Sequence, residues 1–407
     1  MILHRLQSEV SKHRINSKIF TAGMMVFFFV IFDGILMYLS PITISNSGIS
    51  ESLMGLILGS SSIAGMLFDI ILCRTLKSTH YRSMFLFMFV LSMLFPIFLF
   101  GGNTVTIYFL TMAVWGFYYN FYNIGTLDFV ERTNNPEQHT SNFGILRSFE
   151  GLGYFIAPFL GSLLLLIVHP GPKMILVLSI PLIISFFFYI RIRHSSTERK
   201  EYSGVARKDA LSFFKEISLW KNIWSTIFPI LLLTLIINLL DAAIWTFGPL
   251  FSENFGSVNN IPGGVFMTAY ALPPILVGWS VGFVARKFGN IHTAHGSIAL
   301  GSIILVIVGF ITSPILLVFS IFIASFFFAI GWPAINAMYA EYIEKTPTLR
   351  KETETLQDLF TNFGDTGGPI VGGYMAQYLG FAHSFIALGF VGIIVATYLS
   401  LQRQIFR

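Results

Sequence analysis

A single cysteine, Cys73, occurs among 407 residues, which excludes an internal disulfide framework and a cysteine-based metal site. Charge is equally scarce. Asp, Glu, Lys and Arg make up 11% of the chain against 54% apolar residues, where a soluble domain carries about 25% charged residues. So few polar side chains cannot cover a water-facing surface, and lipid has to supply part of the solvent. No glycine-rich loop ending in Gly-Lys-Ser/Thr occurs, so direct ATP drive has no engine. His292 and His295 are too isolated for a metal site. No Ser, His and Asp set falls where a hydrolase needs it, and no span carries the arginine run of a voltage sensor. Neither an enzyme nor a resident cofactor is expected. A cleavable leader is not apparent either, because the first apolar run is long enough to span and follows a polar, basic segment from Met1 to Lys18.

Long apolar runs are what the sequence has instead. A span needs about 20 apolar residues, and twelve runs qualify: 19–41, 50–73, 82–101, 105–127, 143–168, 173–193, 223–247, 263–285, 292–312, 315–338, 356–379 and 382–402. Polar residues enter the runs at 143–168 and 356–379 most. With the N-terminus in the cytoplasm, twelve spans place 24 of the 25 Lys and Arg residues on cytoplasmic segments or the span ends beside them, leaving only Lys173 outside. One span more or fewer would put the later clusters on the wrong side, so the positive-inside rule selects twelve spans with both termini cytoplasmic. An all-α, multi-pass protein of the cell (inner) membrane is expected. The net charge of +5 follows a membrane face and gives no reason to expect nucleic acid as a partner.

The chain divides into two similar halves, 1–192 and 222–407, around a charged stretch at 193–221. Within that stretch Ala210, Phe213, Phe214 and Ile217 recur at helical spacing, which predicts an amphipathic cytoplasmic helix in the linker. Asp33 is followed by Pro41 in span 1, and Asp241 by Pro249 at the same separation in span 7. Span 5 carries Gly144, Gly153, Pro158 and Gly161, and span 11 repeats the core of this pattern as Gly364, Gly368, Pro369 and Gly372. Small residues on one face let helices approach closely, and proline bends them.

Gly65, Leu67, Asp69 and Arg74 after span 2, with Gly282, Arg286, Lys287 and Gly289 in the equivalent place of the second half, resemble the signature loop of the major facilitator superfamily. Ile70, Leu72 and Cys73 depart from it, and Arg286 replaces the aspartate. The span 5 pattern resembles the superfamily's antiporter motif, with Ala157 in place of one glycine. The resemblance covers essentially the whole chain. It implies two pseudo-symmetric six-helix bundles around a central cavity, secondary active transport by alternating access, function as a monomer, and a cytoplasmic latch built from Asp69 and the bases near it.

Buried charge points to the coupling. An ionised group at the bilayer centre costs about 2.5–3.5 kcal/mol on the insertion scale, so Asp33, Asp241 and Asp365, all deep in their spans, are expected to serve a purpose. Carboxyl groups surrounded by hydrocarbon hold protons to higher pH than in water. Asp33 and Asp241 are therefore candidates to bind a coupling proton, a cationic substrate, or each in turn. Glu150 and Arg147 are spaced to pair within span 5. Apart from Arg147 no base lies deep in a span, which disfavours an anionic substrate. Tyr38, Trp115, Tyr119, Asn120, Asn123, Trp245, Trp332 and Asn336 supply rings and amides for a cavity. With the antiporter-like pattern of spans 5 and 11, which by resemblance implies export, the expected activity is proton-coupled export of a small hydrophobic or cationic molecule. Proton- or sodium-coupled symport of a sugar or other neutral nutrient is the alternative; a channel or a non-transporting sensor are readings from other classes.

Overall fold

The computed structural model describes residues 17–75, 80–133, 138–168, 171–195, 213–259, 261–277 and 281–401, and among them no strand occurs. In the first half the helices are α1 (Ser17–Asn46), α2 (Glu51–Thr75), α3 (Tyr81–Gly101), α4 (Val105–Thr133), α5 (His139–Ile167) and α6 (Pro172–Ser195). In the second they are α7 (Phe213–Asn259), α8 in three pieces (Gly264–Ala271, Pro273–Val277 and Val281–Phe288), α9 (Asn290–Val308), α10 (Pro314–Lys345), α11 (Arg350–Leu379) and α12 (Phe381–Leu401). Each expected span thus coincides with a helix or, for α8, with a broken one.

Three departures have physical causes. Helices run past the apolar stretch at their cytoplasmic ends, α4 to Thr133 and α10 to Lys345, because polar helix formers can continue the helix into water. The segment from Phe213, expected in a separate surface helix, is continuous with α7; Ala210 lies outside the described residues. Span 8 is not one rod. Pro273 and Pro274, which lack the N–H groups a helix needs, follow a first interruption at Leu272; separately, Val281–Phe288 is bent 68° from Gly264–Val277.

Nine described helices are long and apolar enough to cross a membrane, or ten with the bent pair. The two that fall short are α4 and α11, whose polar residues face a cavity between the halves rather than lipid.

Packing repeats between halves. α1 lies along α5, and α7 lies along α11. Gly364, Gly368 and Gly372 form a stripe one turn apart against α7: a Cβ on Gly364 would stand 2.8 Å from the Leu235 carbonyl oxygen, one on Gly368 would stand 2.6 Å from that of Leu239, and one on Gly372 would stand 3.0 Å from Ala243. Gly153 meets Val30 and Phe27 of α1, and Gly161 meets Tyr38. Gly144 departs from expectation: it is exposed, with nothing within 4 Å of where a Cβ would sit, because it lies on the first turns of α5, short of the crossing. At the cytoplasmic end of the first half, Asp128 joins two helices. It pairs with Arg132 at 2.7 Å and accepts the Tyr81 backbone N–H at 2.6 Å, satisfying one of the open donors at the start of α3.

Candidate substrate cavity between the halves

The halves touch on their outer sides. Gly55 and Gly59 of α2 seat the backbone of α11 at Pro369 and Thr366. Gly264 of α8 seats the Pro158 carbonyl of α5. Ser52 N–H donates to Gln377 Oε1 at 3.0 Å. The Tyr38 hydroxyl of α1 lies 2.9 Å from Ser252 Oγ and donates to Glu253 Oε1 at 2.5 Å, both on α7. Charge placement puts all these residues away from the cytoplasm. Inward of them the halves separate around a cavity of about 1090 Å³, whose lining runs from Pro41 and Pro369 to Asp69 and Asp358 near the cytoplasmic helix ends. The structure is therefore open to the inside and closed to the outside.

Most expected cavity residues line this space: Trp115, Tyr119, Asn120 and Asn123 from α4, Trp245 from α7 and Trp332 from α10. Two do not. Tyr38 points into the outer contact just described, because the Gly161 notch and Ser252 receive its ring and hydroxyl. Asn336 is exposed and accepts from Gln357 Nε2 at 3.0 Å, one turn inward of Trp332, where α10 meets α11.

The expected coupling residues fall into three environments. Asp241 of α7 and Asp365 of α11 both line the cavity. Asp241 Oδ1 accepts from the Tyr270 hydroxyl of α8 at 2.6 Å, and the Tyr270 ring stands edge-on to Trp245 at 6.3 Å. Arg147 is the one base among the described lining residues, and its guanidinium donates to Glu150 at 2.7 Å. The Arg147 side chain is 69% exposed and that of Glu150 8%, so the pair puts a neutralised guanidinium on the wall. Asp33 differs: it is 1% exposed and lies behind the wall. Its Oδ1 accepts from Tyr118 at 2.6 Å and Trp115 Nε1 at 3.1 Å, and its Oδ2 from Tyr154 at 2.9 Å.

Sequence reading missed Tyr154, which with Tyr118 holds Asp33, and Tyr270, which holds Asp241. Tyr154 had a signal: it is four residues after Glu150 and four before Pro158, on the face that carries Arg147. Tyr270 had none, since it reaches Asp241 only through the fold. Asn238, Asp358 and Asn362 also line the cavity without having stood out.

In the signature loops, Gly65 lies where α2 and α4 cross: a Cβ on Gly116 of α4 would run into the Ser61 carbonyl oxygen and stand 2.8 Å from Gly65 N, and the Gly65 carbonyl accepts from Asn120 Nδ2 at 2.7 Å. Asp69 lines the cytoplasmic mouth. The Arg74 side chain lies outside the described residues. In the second half Arg286 donates to its own helix at Gly282 at 3.0 Å, Lys287 stands over Phe288 at 5.3 Å, and Gly289 turns the chain with φ 78°, a conformation that favours glycine.

The model of the Major Facilitator Superfamily matches residues 22–349 and 264–404. No curated protein matches the sequence. Solved structures share the fold. The nucleoside transporter NupG is 16% identical with a TM-score of 0.72, covering 95% of this chain and 99% of that one. A bacterial homologue of the human lysosomal transporter Spinster, inward-facing and unoccupied, is 11% identical with a TM-score of 0.71 over 94% and 95%. The human organic anion transporter MFSD10 is 13% identical with a TM-score of 0.65 over 94% and 98%. A two-bundle helical fold, an inward-open cavity between the bundles, and a family match across nearly the whole chain together mean that this protein belongs to the Major Facilitator Superfamily, as a secondary transporter and not an enzyme.

Proposed function

We propose that the chain exports a cationic or hydrophobic organic molecule across the cell (inner) membrane in exchange for protons, working as a monomer. The observation that carries this reading is that Asp241 and Asp365 line one cavity together with Trp245, Tyr270 and Trp332. Among the described residues, four aspartates and a single, neutralised base line the cavity, and this lining attracts positive charge. A ring face adds about 0.5–2 kcal/mol to the binding of a cation. A proton and an organic cation compete for the same carboxyls, and mutual exclusion is the basis of exchange. Release to the outside follows when the outer contacts part and the cytoplasmic ends close by rocking of one bundle against the other.

The alternative, proton or sodium symport of a neutral nutrient, draws on the asparagines and on Ser61 and Ser62 of the lining. Three of the four lining asparagines already donate to backbone carbonyls: Asn120 to Gly65, Asn238 to Thr234 and Asn362 to Asp358. Fewer amide donors are then left for substrate oxygens, and export is favoured.

Energised everted vesicles separate the two. Accumulation of a fluorescent organic cation that stops with Asp241→Asn and Asp365→Asn supports export. Uptake of a sugar or nucleoside by whole cells, without dye accumulation in vesicles, overturns it.

A further inference from the structure

Asp33 is the most buried carboxyl among the described residues of the first half, and the exchange of protons and substrate at Asp241 and Asp365 leaves it unused. Its two oxygens take three donors from two helices: Tyr118 and Trp115 of α4 and Tyr154 of α5. Two of the three donors, Trp115 and Tyr154, present their rings to the cavity, whereas Asp33 does not reach it. Tyr118 is fully buried and braced edge-on by Phe29 at 6.0 Å and Phe95 at 6.0 Å. Phe95 also meets Trp115 edge-on at 5.9 Å.

The adjoining residue completes the seat. A Cβ on Gly34 would lie 2.6 Å from Ala157 Cβ and 3.1 Å from Tyr154 Cδ1, so only the absence of a side chain lets α5 bring Tyr154 onto Asp33. The charged groups that face this cluster are Glu150 and Arg147, both on α5 and paired with each other. A carboxylate that accepts from neutral donors on both oxygens fixes their orientation. Protonation of Oδ2 would reverse its hydrogen bond to the Tyr154 hydroxyl, which can accept as well as donate, and would remove the charge that holds all three donors.

We infer that Asp33 is a positioning residue: its carboxylate sets Trp115 and Tyr154 as a fixed aromatic clamp on the first-half wall, selecting flat aromatic cations over aliphatic ones, while the coupling proton is carried elsewhere. The selectivity rests on the export reading; the positioning does not.

The test uses full-length protein in detergent, labelled with 5-fluorotryptophan. The Trp115 resonance is assigned by its loss in Trp115→Phe. Asp33→Asn is expected to shift that resonance. It should also weaken ethidium binding about tenfold, leave tetraethylammonium binding within about twofold, and keep proton release on ligand binding, which Asp241→Asn removes. Tyr154→Phe, which leaves the carboxylate in place, should reproduce part of the ethidium loss and guards against an Asp33→Asn protein that does not fold. An unmoved Trp115 resonance overturns the positioning. So does loss of proton release in Asp33→Asn, which would make Asp33 the carrier. Equal weakening for both cations overturns the selectivity. If the unmodified protein binds neither cation, the export reading and the selectivity fail together, and the fluorine shift still decides what Asp33 holds.

Discussion

Asp33 and Asp241 occupy the same place in the two halves, each followed at the same distance by a proline, yet they face different worlds. The difference lies in the helix that packs beside each. Aligned on their prolines, α5 reads Gly153-Tyr154, Ala157-Pro158 and Gly161, and α11 reads Gly364-Asp365, Gly368-Pro369 and Gly372. Where α5 offers Tyr154 to Asp33, α11 offers a second carboxyl to the cavity that Asp241 lines. Gly34 follows Asp33 and admits the tyrosine; Ala242 follows Asp241 and meets Gly368 instead. A duplicated scaffold therefore keeps the position of a buried acid and changes its work through one neighbour. The first-half acid is saturated with donors and sealed; the second-half acid has one donor, a like-charged companion and access to the cavity.

The contrast is broken most directly by removing the charge on each side. Asp241→Asn is expected to lower proton-driven transport on the order of 100-fold and to flatten its dependence on pH, whereas Asp33→Asn keeps a pH-responsive profile. Transport in vesicles at several external pH values measures both, and a flat profile in the Asp33 variant would erase the distinction. A smaller effect is expected from Gly34→Val, which pushes Tyr154 off Asp33. Overpacking of this kind costs about 1–3 kcal/mol, read as a lower melting temperature together with weaker ethidium binding.

Tyr38→Phe sharpens the comparison at the outer contact, where the first half reaches the second. Loss of the hydroxyl that serves Ser252 and Glu253 removes about 1 kcal/mol from the closed outer side, and outward-open molecules should rise about fivefold. Spin-label distances between the outer ends of α1 and α7 report the change. The smallest effect belongs to Gly144→Ala. With open space around it, an alanine there should stabilise the helix by up to about 1 kcal/mol, whereas Gly153→Ala, against Val30 and Phe27, should destabilise in the same thermal melt.

Much of the architecture was legible because lipid makes it so. Twelve apolar runs and sorted bases predict twelve spans, and each has its helix. The break in α8 was less so, since Pro273 and Pro274 sit inside a run that stays apolar and hydropathy does not register a lost N–H. Trp115, Tyr119, Trp245 and Trp332 could be picked as cavity residues because polar-tipped rings at mid-span are costly unless they face something other than lipid. Tyr38 satisfied the same criterion and went to the outer contact; nothing in its own span distinguishes a cavity from an interface between halves.

The number of spans, their orientation, the duplication and the acids at mid-membrane are all written in the order of residues, since each follows from the transfer of local groups between water and hydrocarbon. Which acid meets the cavity and which is walled in by Trp115, Tyr118 and Tyr154 emerges from the packing of distant helices. That choice depends on side chains more than 80 residues away in the chain brought within hydrogen-bonding distance, and on glycine notches whose value exists only when another helix fills them.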